Sequence, residues 1–248
     1  MTKAVEAVET IDGWYSLHDL RSIDWASWKN ASQEVRDRAI KEFHALYTEW
    51  NKVETDGNGS QVMYQVVGQD ADLMFMFLRP TMEELADIET TLNKSILGEF
   101  LLPTYSHLSV IEISKYRPGV DESDPYVQER LRPILPKWEH ICYYPMSRKR
   151  DGDDNWYTLE KNERGKLLYE HSLTGRQYAN KIKQFIAGSI GYDKWEWAVT
   201  LFAHDPLEFK KIVYEMRFDT ATSRYGEFDK FFVGNYLSSE AFNDLLKI

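Results

Sequence analysis

The chain has 248 residues, 43% hydrophobic and 14% aromatic, which is enough apolar surface for one large domain or two ordinary ones. A formal charge of −10 argues against nucleic acid or an anionic membrane as the main partner, because a phosphate surface selects for a basic one. The single cysteine, Cys142, excludes an internal disulfide and every multi-cysteine zinc or iron-sulfur site, and fits a reducing compartment.

Residues Met1 to Thr10 are small and charged, without the apolar core of an export signal, and no stretch approaches the roughly 20 apolar residues of a membrane span. The expectation is a soluble, cytoplasmic protein. Gly13 to Ser22 reads as a strand, Ser32 to Val53 as a long amphipathic helix, and Gln61 to Val67 with Asp72 to Arg79 as a hairpin turned at Gly68-Gln69-Asp70. Pro80 is placed to open a helix through about Ser95, and Thr104 to Tyr116 reads as a further strand.

The same pattern then recurs. Lys137 to Ser147 is a strand, Thr158 to Thr174 a helix, and Lys181 to Ile190 with Lys194 to Ala203 a hairpin turned at Gly191-Tyr192-Asp193. Pro206 opens a helix to about Phe218, and Phe228 to Leu237 closes the unit. Both halves read β-α-β-β-α-β, the order of a ferredoxin-like unit. The run Leu73 to Leu78 is apolar on both faces, so each sheet needs cover on both sides. The predicted class is therefore α+β, with two ferredoxin-like repeats (1–116 and 137–248) forming an α+β barrel within one chain. Residues 117–136 hold five prolines and glycines among acidic side chains, and are expected to run over the surface as a linker or lid.

Three residues of the second half suggest chemistry. Tyr144 shares a strand face with Trp138, His140 and Cys142, His171 lies on the inward stripe of its helix after Leu167 and Leu168, and Gln184 sits between Ile182 and Ile186 on one strand face. Alone, each has a plain structural reading: a packed core tyrosine, a hydrogen-bonded core histidine, and an amide whose burial costs about 1–3 kcal/mol unless paired. Together, a redox-capable phenol, an imidazole and a neutral amide suggest a buried metal-bearing ligand. Phosphate-binding glycine loops, a His-Glu-x-x-His helix and a nucleophile elbow are all missing from the sequence, which weakens nucleotide and hydrolase readings.

The segments Gly13-Trp14-Tyr15-Ser16-Leu17-His18-Asp19, Tyr144-Pro145-Met146-Ser147, His171-Ser172-Leu173-Thr174-Gly175-Arg176 and Met216-Arg217-Phe218-Asp219 with Arg224-Tyr225-Gly226 resemble coproheme decarboxylases of the chlorite-dismutase-like superfamily. The resemblance runs the length of the chain in order. It implies the barrel fold, a homopentamer, and a tetrapyrrole pocket in the C-terminal repeat. It implies that His171 is the proximal iron ligand, Tyr144 the catalytic radical-forming tyrosine, and Gln184 the distal residue, where chlorite-degrading relatives carry arginine. Arg130, Tyr144, Arg217 and the hydroxyl of Thr222 or Ser223 fall where that family holds propionates, and Pro145, Met146 and Ser147 line the same pocket. The family's lysine four residues after the tyrosine is Arg148 here, followed by Lys149, which keeps the charge but changes its geometry.

The activity so implied is peroxide-dependent decarboxylation of two propionates of iron coproporphyrin III (coproheme), through a monovinyl intermediate, to heme b. The porphyrin is substrate and its iron the redox centre, with hydrogen peroxide as co-substrate. Two alternatives stand beside it: a non-catalytic heme carrier or sensor, and a chlorite- or peroxide-degrading heme enzyme, against which the neutral Gln184 speaks.

Overall fold

The computed structural model describes residues 6–116 and 119–248. In chain order its elements are β1 (Thr10–Ile23), α1 (Trp25–Asn30), α2 (Gln33–Thr55), β2 (Ser60–Val66), β3 (Leu73–Arg79), α3 (Met82–Lys94), β4 (Leu101–Ser114), α4 (Pro125–Leu131), β5 (His140–Arg148), α5 (Lys161–Gln177), β6 (Ile182–Gly188), β7 (Trp197–Ala203), α6 (Leu207–Met216), α7 (Thr220–Ser223), β8 (Gly226–Phe228), β9 (Phe232–Tyr236) and α8 (Ser239–Leu246). The fold is α+β with antiparallel strand pairing, and the order β-α-β-β-α-β occurs twice, as β1-α2-β2-β3-α3-β4 and β5-α5-β6-β7-α6-β8.

The chain forms two compact units, each discontinuous in sequence. They do not coincide with a division at residues 116 and 137. One unit takes residues 14–108, 132–137 and 232–248. Its strands pair in the order β1-β3-β2-β9, with Leu17 opposite Phe77, Met63 opposite Phe75 and Tyr64 opposite Tyr236. Every residue of β3 is buried, as its two-sided apolar run requires. Phe43 and Tyr47 of α2, Leu85, Ile88 and Leu92 of α3 and Phe242 of α8 complete one core with Phe75 and Phe77. The start of α3 differs from the expectation at Pro80: Thr81 caps it, accepting from Glu84 N while the Glu84 carboxylate accepts from Thr81 N. This reciprocal pair satisfies two helix-end donors, which a proline at the first position would not do.

The other unit takes residues 6–13, 109–131 and 138–231, apart from the undescribed 117 and 118. Its strands pair as β4-β6-β7-β5-β8, and α5, α6 and α7 belong with them. Two expectations change here. The segment expected as a surface linker carries α4, and Val127 and Leu131 are buried against Ile11. Gly13 makes that contact possible, because a Cβ there would lie 2.0 Å from the Leu131 carbonyl oxygen. The expected closing strand Phe228 to Leu237 is two strands: β8 pairs with β5, and β9 pairs with β2 in the first unit's sheet. Asp229 breaks the run, its backbone N–H turning to the Pro145 carbonyl.

Candidate functional site

Strand pairing fixes which side chains share a face. Val199 of β7 stands opposite Tyr144 and Ile186, Leu201 opposite Cys142 and Gln184, and Trp197 opposite Met146 and Gly188. Tyr144, Met146, Gln184, Ile186 and Gly188 therefore present one face, and β4 adds Glu112, two residues along from the Val110 that pairs with Gly188. Pro145 and Ser147 alternate to the other face, and the Ser147 hydroxyl accepts from Glu196 N at 3.2 Å. Gln184 is exposed and Ile186 is 44% exposed, so the amide is not the buried group its apolar neighbours suggested. The face it shares with Tyr144 is open around it.

Tyr144 itself is buried, stacked on Phe231 at 4.4 Å with Phe228 at 5.9 Å. Burial pushes its phenol far above the ordinary value, with Cys142 adding to the shift and Arg217 and Arg148 opposing it. The side chain thus stays a neutral phenol, holding a hydrogen it can give up together with an electron. The Cys142 thiol, two residues along the same strand face, is pushed up to about 12 by burial, so it remains protonated and inert.

His171 lies in the second half of α5, with Nδ1 2.8 Å from Asp219 Oδ2. Burial raises the Asp219 carboxyl, but the interaction with His171 and the hydrogen bonds from Thr222 outweigh it and hold it below the usual range. An ionised carboxylate can only accept, so Nδ1 carries the proton and Nε2 presents its lone pair. Asp219 is itself fixed as the N-cap of α7, accepting from Thr222 N at 2.8 Å. The Thr222 hydroxyl is 3.3 Å from both His171 Nδ1 and Asp219 Oδ2. Of the two hydroxyls weighed from sequence, Thr222 thus belongs to the imidazole network, while Ser223 is exposed.

The cationic side chains are placed unequally. Arg217 is exposed, its guanidinium 4.5 Å over the Phe228 ring beside Tyr144. Arg148 is buried, donates to Ala221 O at 2.5 Å and lies 4.7 Å over the Trp156 ring. Its guanidinium is thereby directed at α7. Arg130 stands on α4, exposed and against Tyr126, apart from these contacts.

The donor set suits an iron porphyrin better than a bare metal ion. Among the described residues no three His, Cys, Asp or Glu side chains converge, so a bare ion would lack a coordination shell, whereas one oriented imidazole is the protein's share of a porphyrin iron. Around it, α5 buries only Arg164, leaving Leu167 and Leu168 half-covered and Leu173 exposed, apolar surface of the kind a flat macrocycle covers.

Comparison with known proteins shows which family the chain belongs to. A family model described as chlorite dismutase fits residues 36–237. The chain belongs to the chlorite dismutase family. A relative named coproheme decarboxylase, from Oceanobacillus iheyensis, is 56% identical over 247 residues, covering 98% of this chain and 99% of that protein. A solved heme-binding protein from Thermus thermophilus superposes with a TM-score of 0.96 at 45% identity over 99% of each chain. A variant of chlorite dismutase from Candidatus Nitrospira defluvii shares the fold, with a TM-score of 0.78 at 18% identity over 95% of this chain and 96% of its own.

His171, Tyr144, Gln184 and Arg217 stand out in the sequence; Asp219, which contacts His171, Phe231, which stacks on Tyr144, and Glu112, on the same sheet face, do not. Asp219 was visible as an Asp preceding Thr-Ala-Thr-Ser, a cap signature within a motif already singled out. Glu112 interrupts the even-numbered apolar set Leu108 and Val110, the one signal that could have found it.

Proposed function

We propose that this protein converts iron coproporphyrin III to heme b, oxidising two propionates to vinyl groups at the expense of hydrogen peroxide. Its main support is the 56% identity, over nearly the whole of both chains, to a protein named coproheme decarboxylase. Each step consumes one propionate, one peroxide and one proton, and releases carbon dioxide and two waters.

The substrate's iron, reacting with peroxide, supplies the oxidising power. Nε2 of His171 holds the substrate, with Asp219 fixing the ring and keeping the proton on Nδ1. Tyr144 gives up its phenolic hydrogen as a proton and an electron, and its oxygen then removes a hydrogen atom from the β-carbon of the propionate beside it. Stacking against Phe231 fixes the phenol plane during this exchange. Arg217, Arg130 and Ser223 bind propionates, with charge-assisted hydrogen bonds worth about 1.5–3 kcal/mol each once water is excluded. Met146 lies against the macrocycle on the Tyr144 face. Gln184 offers no positive charge to an oxyanion, which disfavours chlorite chemistry at this site. The protein works as a homopentamer, by likeness to its family, and its single cysteine fits the cytoplasm.

Incubating the purified protein with iron coproporphyrin III and measured additions of peroxide, then following product masses, tests this reading. Loss of two carboxyl groups in sequence, through a species that has lost one, is expected. A second reading, a heme carrier, draws on the Thermus thermophilus protein described as heme-binding. It predicts heme b binding at least as tight as coproheme binding and no peroxide-driven mass loss.

A further inference from the structure

Glu112 is a carboxylate on the same sheet face as Tyr144, Met146 and Gln184, and a side chain from the strand beyond its neighbour holds it in place. Trp197 Nε1 donates to Glu112 Oε1 at 3.0 Å, bridging from β7 across β6 to β4. The strand it crosses carries Gly188, and a Cβ at that position would lie 2.4 Å from Glu112 Oε2. The missing side chain leaves the space in which the carboxylate lies. Trp197 from β7 and Gly188 from β6 lie against it, and Asp12 on β1 is a second acid that acts on it.

Coproheme carries four propionates, so a polyanion must approach this face. We propose that Glu112 is the proton-uptake site of substrate binding: it accepts a proton as the porphyrin seats, and its neutral form is the one the complex contains. This rests on coproheme being the substrate, as argued above. Burial already pushes the Glu112 carboxyl above the usual range, with the Trp197 hydrogen bond opposing the shift and Asp12 adding to it. A bound polyanion raises it further, since like charge and lost water both disfavour the ionised form. Binding thus shifts Glu112 toward its protonated state. Linkage then fixes the sign: affinity is highest where Glu112 is neutral in the free protein and falls as pH rises through that range, by up to about tenfold per pH unit until the carboxyl in the complex also ionises.

The test is calorimetric titration of the full-length protein with iron coproporphyrin III in two buffers of different ionisation enthalpy, repeated from pH 5 to 8. The wild type takes up protons on binding; Glu112→Gln takes up fewer, and its affinity declines less with pH. Trp197→Phe removes the hydrogen bond that favours the carboxylate, so the pH at which affinity falls moves upward. Equal proton uptake and equal pH dependence in the wild type and Glu112→Gln overturn the proposal while leaving the substrate assignment intact. Failure of the wild type to bind coproheme at all overturns the substrate assignment itself.

Discussion

His171 Nδ1 and Asp219 Oδ2 lie 2.8 Å apart, and the same carboxylate caps α7 through Thr222 N. One residue thereby sets the tautomer of the imidazole and the position of the short helix beside it. Asp219→Asn removes the anionic acceptor while keeping the volume. The iron–histidine stretch of the ferrous coproheme complex, read by resonance Raman, is expected to move to lower frequency, and affinity to fall about 10–100-fold. An unchanged frequency would show that Asp219 does not act on the ligand.

The same residue predicts a pH dependence. Because the folded-state carboxyl lies below its unfolded value, its contribution to stability is complete above roughly pH 4 and is lost as pH falls through the lower folded value. The difference in urea midpoint between wild type and Asp219→Asn should therefore be constant from pH 5 to 8 and shrink in stronger acid. A difference that grows on acidification has the wrong sign for this account.

Tyr144→Phe keeps the packing against Phe231 and Phe228 and deletes only the hydroxyl. Coproheme affinity is expected to stay within about twofold of wild type, the scale of a neutral substitution, while no vinyl product forms. Conversion at the wild-type rate would remove Tyr144 from the chemistry.

Arg148 spans the Ala221 carbonyl and the Trp156 ring with one planar group, which a lysine ammonium cannot do. Arg148→Lys should cost about 1–3 kcal/mol in chemical unfolding, through the buried carbonyl left without its donor. If stability is unchanged and coproheme affinity drops instead, the guanidinium serves a propionate and not α7.

Gly13→Ala places a methyl group where the Leu131 backbone now lies. A loss of about 1–3 kcal/mol is expected as α4 shifts off Ile11. A neutral result would mean that the 119–131 segment moves away without cost.

Strand and helix order was legible because period-two and period-3.6 patterns are local, and Leu73 to Leu78 announces a strand buried on both faces. The helix in 125–131 was not, since five prolines and glycines between 117 and 136 outweigh two buried side chains, Val127 and Leu131, whose partner Ile11 is over a hundred residues away. Pro80 looked like a helix start because the reciprocal bonds of Thr81 and Glu84 are a matter of geometry. At the site, the residue types of His171 and Tyr144 were readable, whereas the Asp219 contact depends on α7 folding back beside α5. The amide at position 184 misled: neighbouring isoleucines suggest burial, yet that face of β6 is open.

The most direct test of the whole account is an experimental structure of the complex with iron coproporphyrin III. Iron bound by Nε2 of His171, with a propionate β-carbon about 3.5 Å from the Tyr144 hydroxyl oxygen, is expected. Iron held by any other side chain, or Tyr144 separated from the porphyrin by the strands of its own sheet, would contradict it.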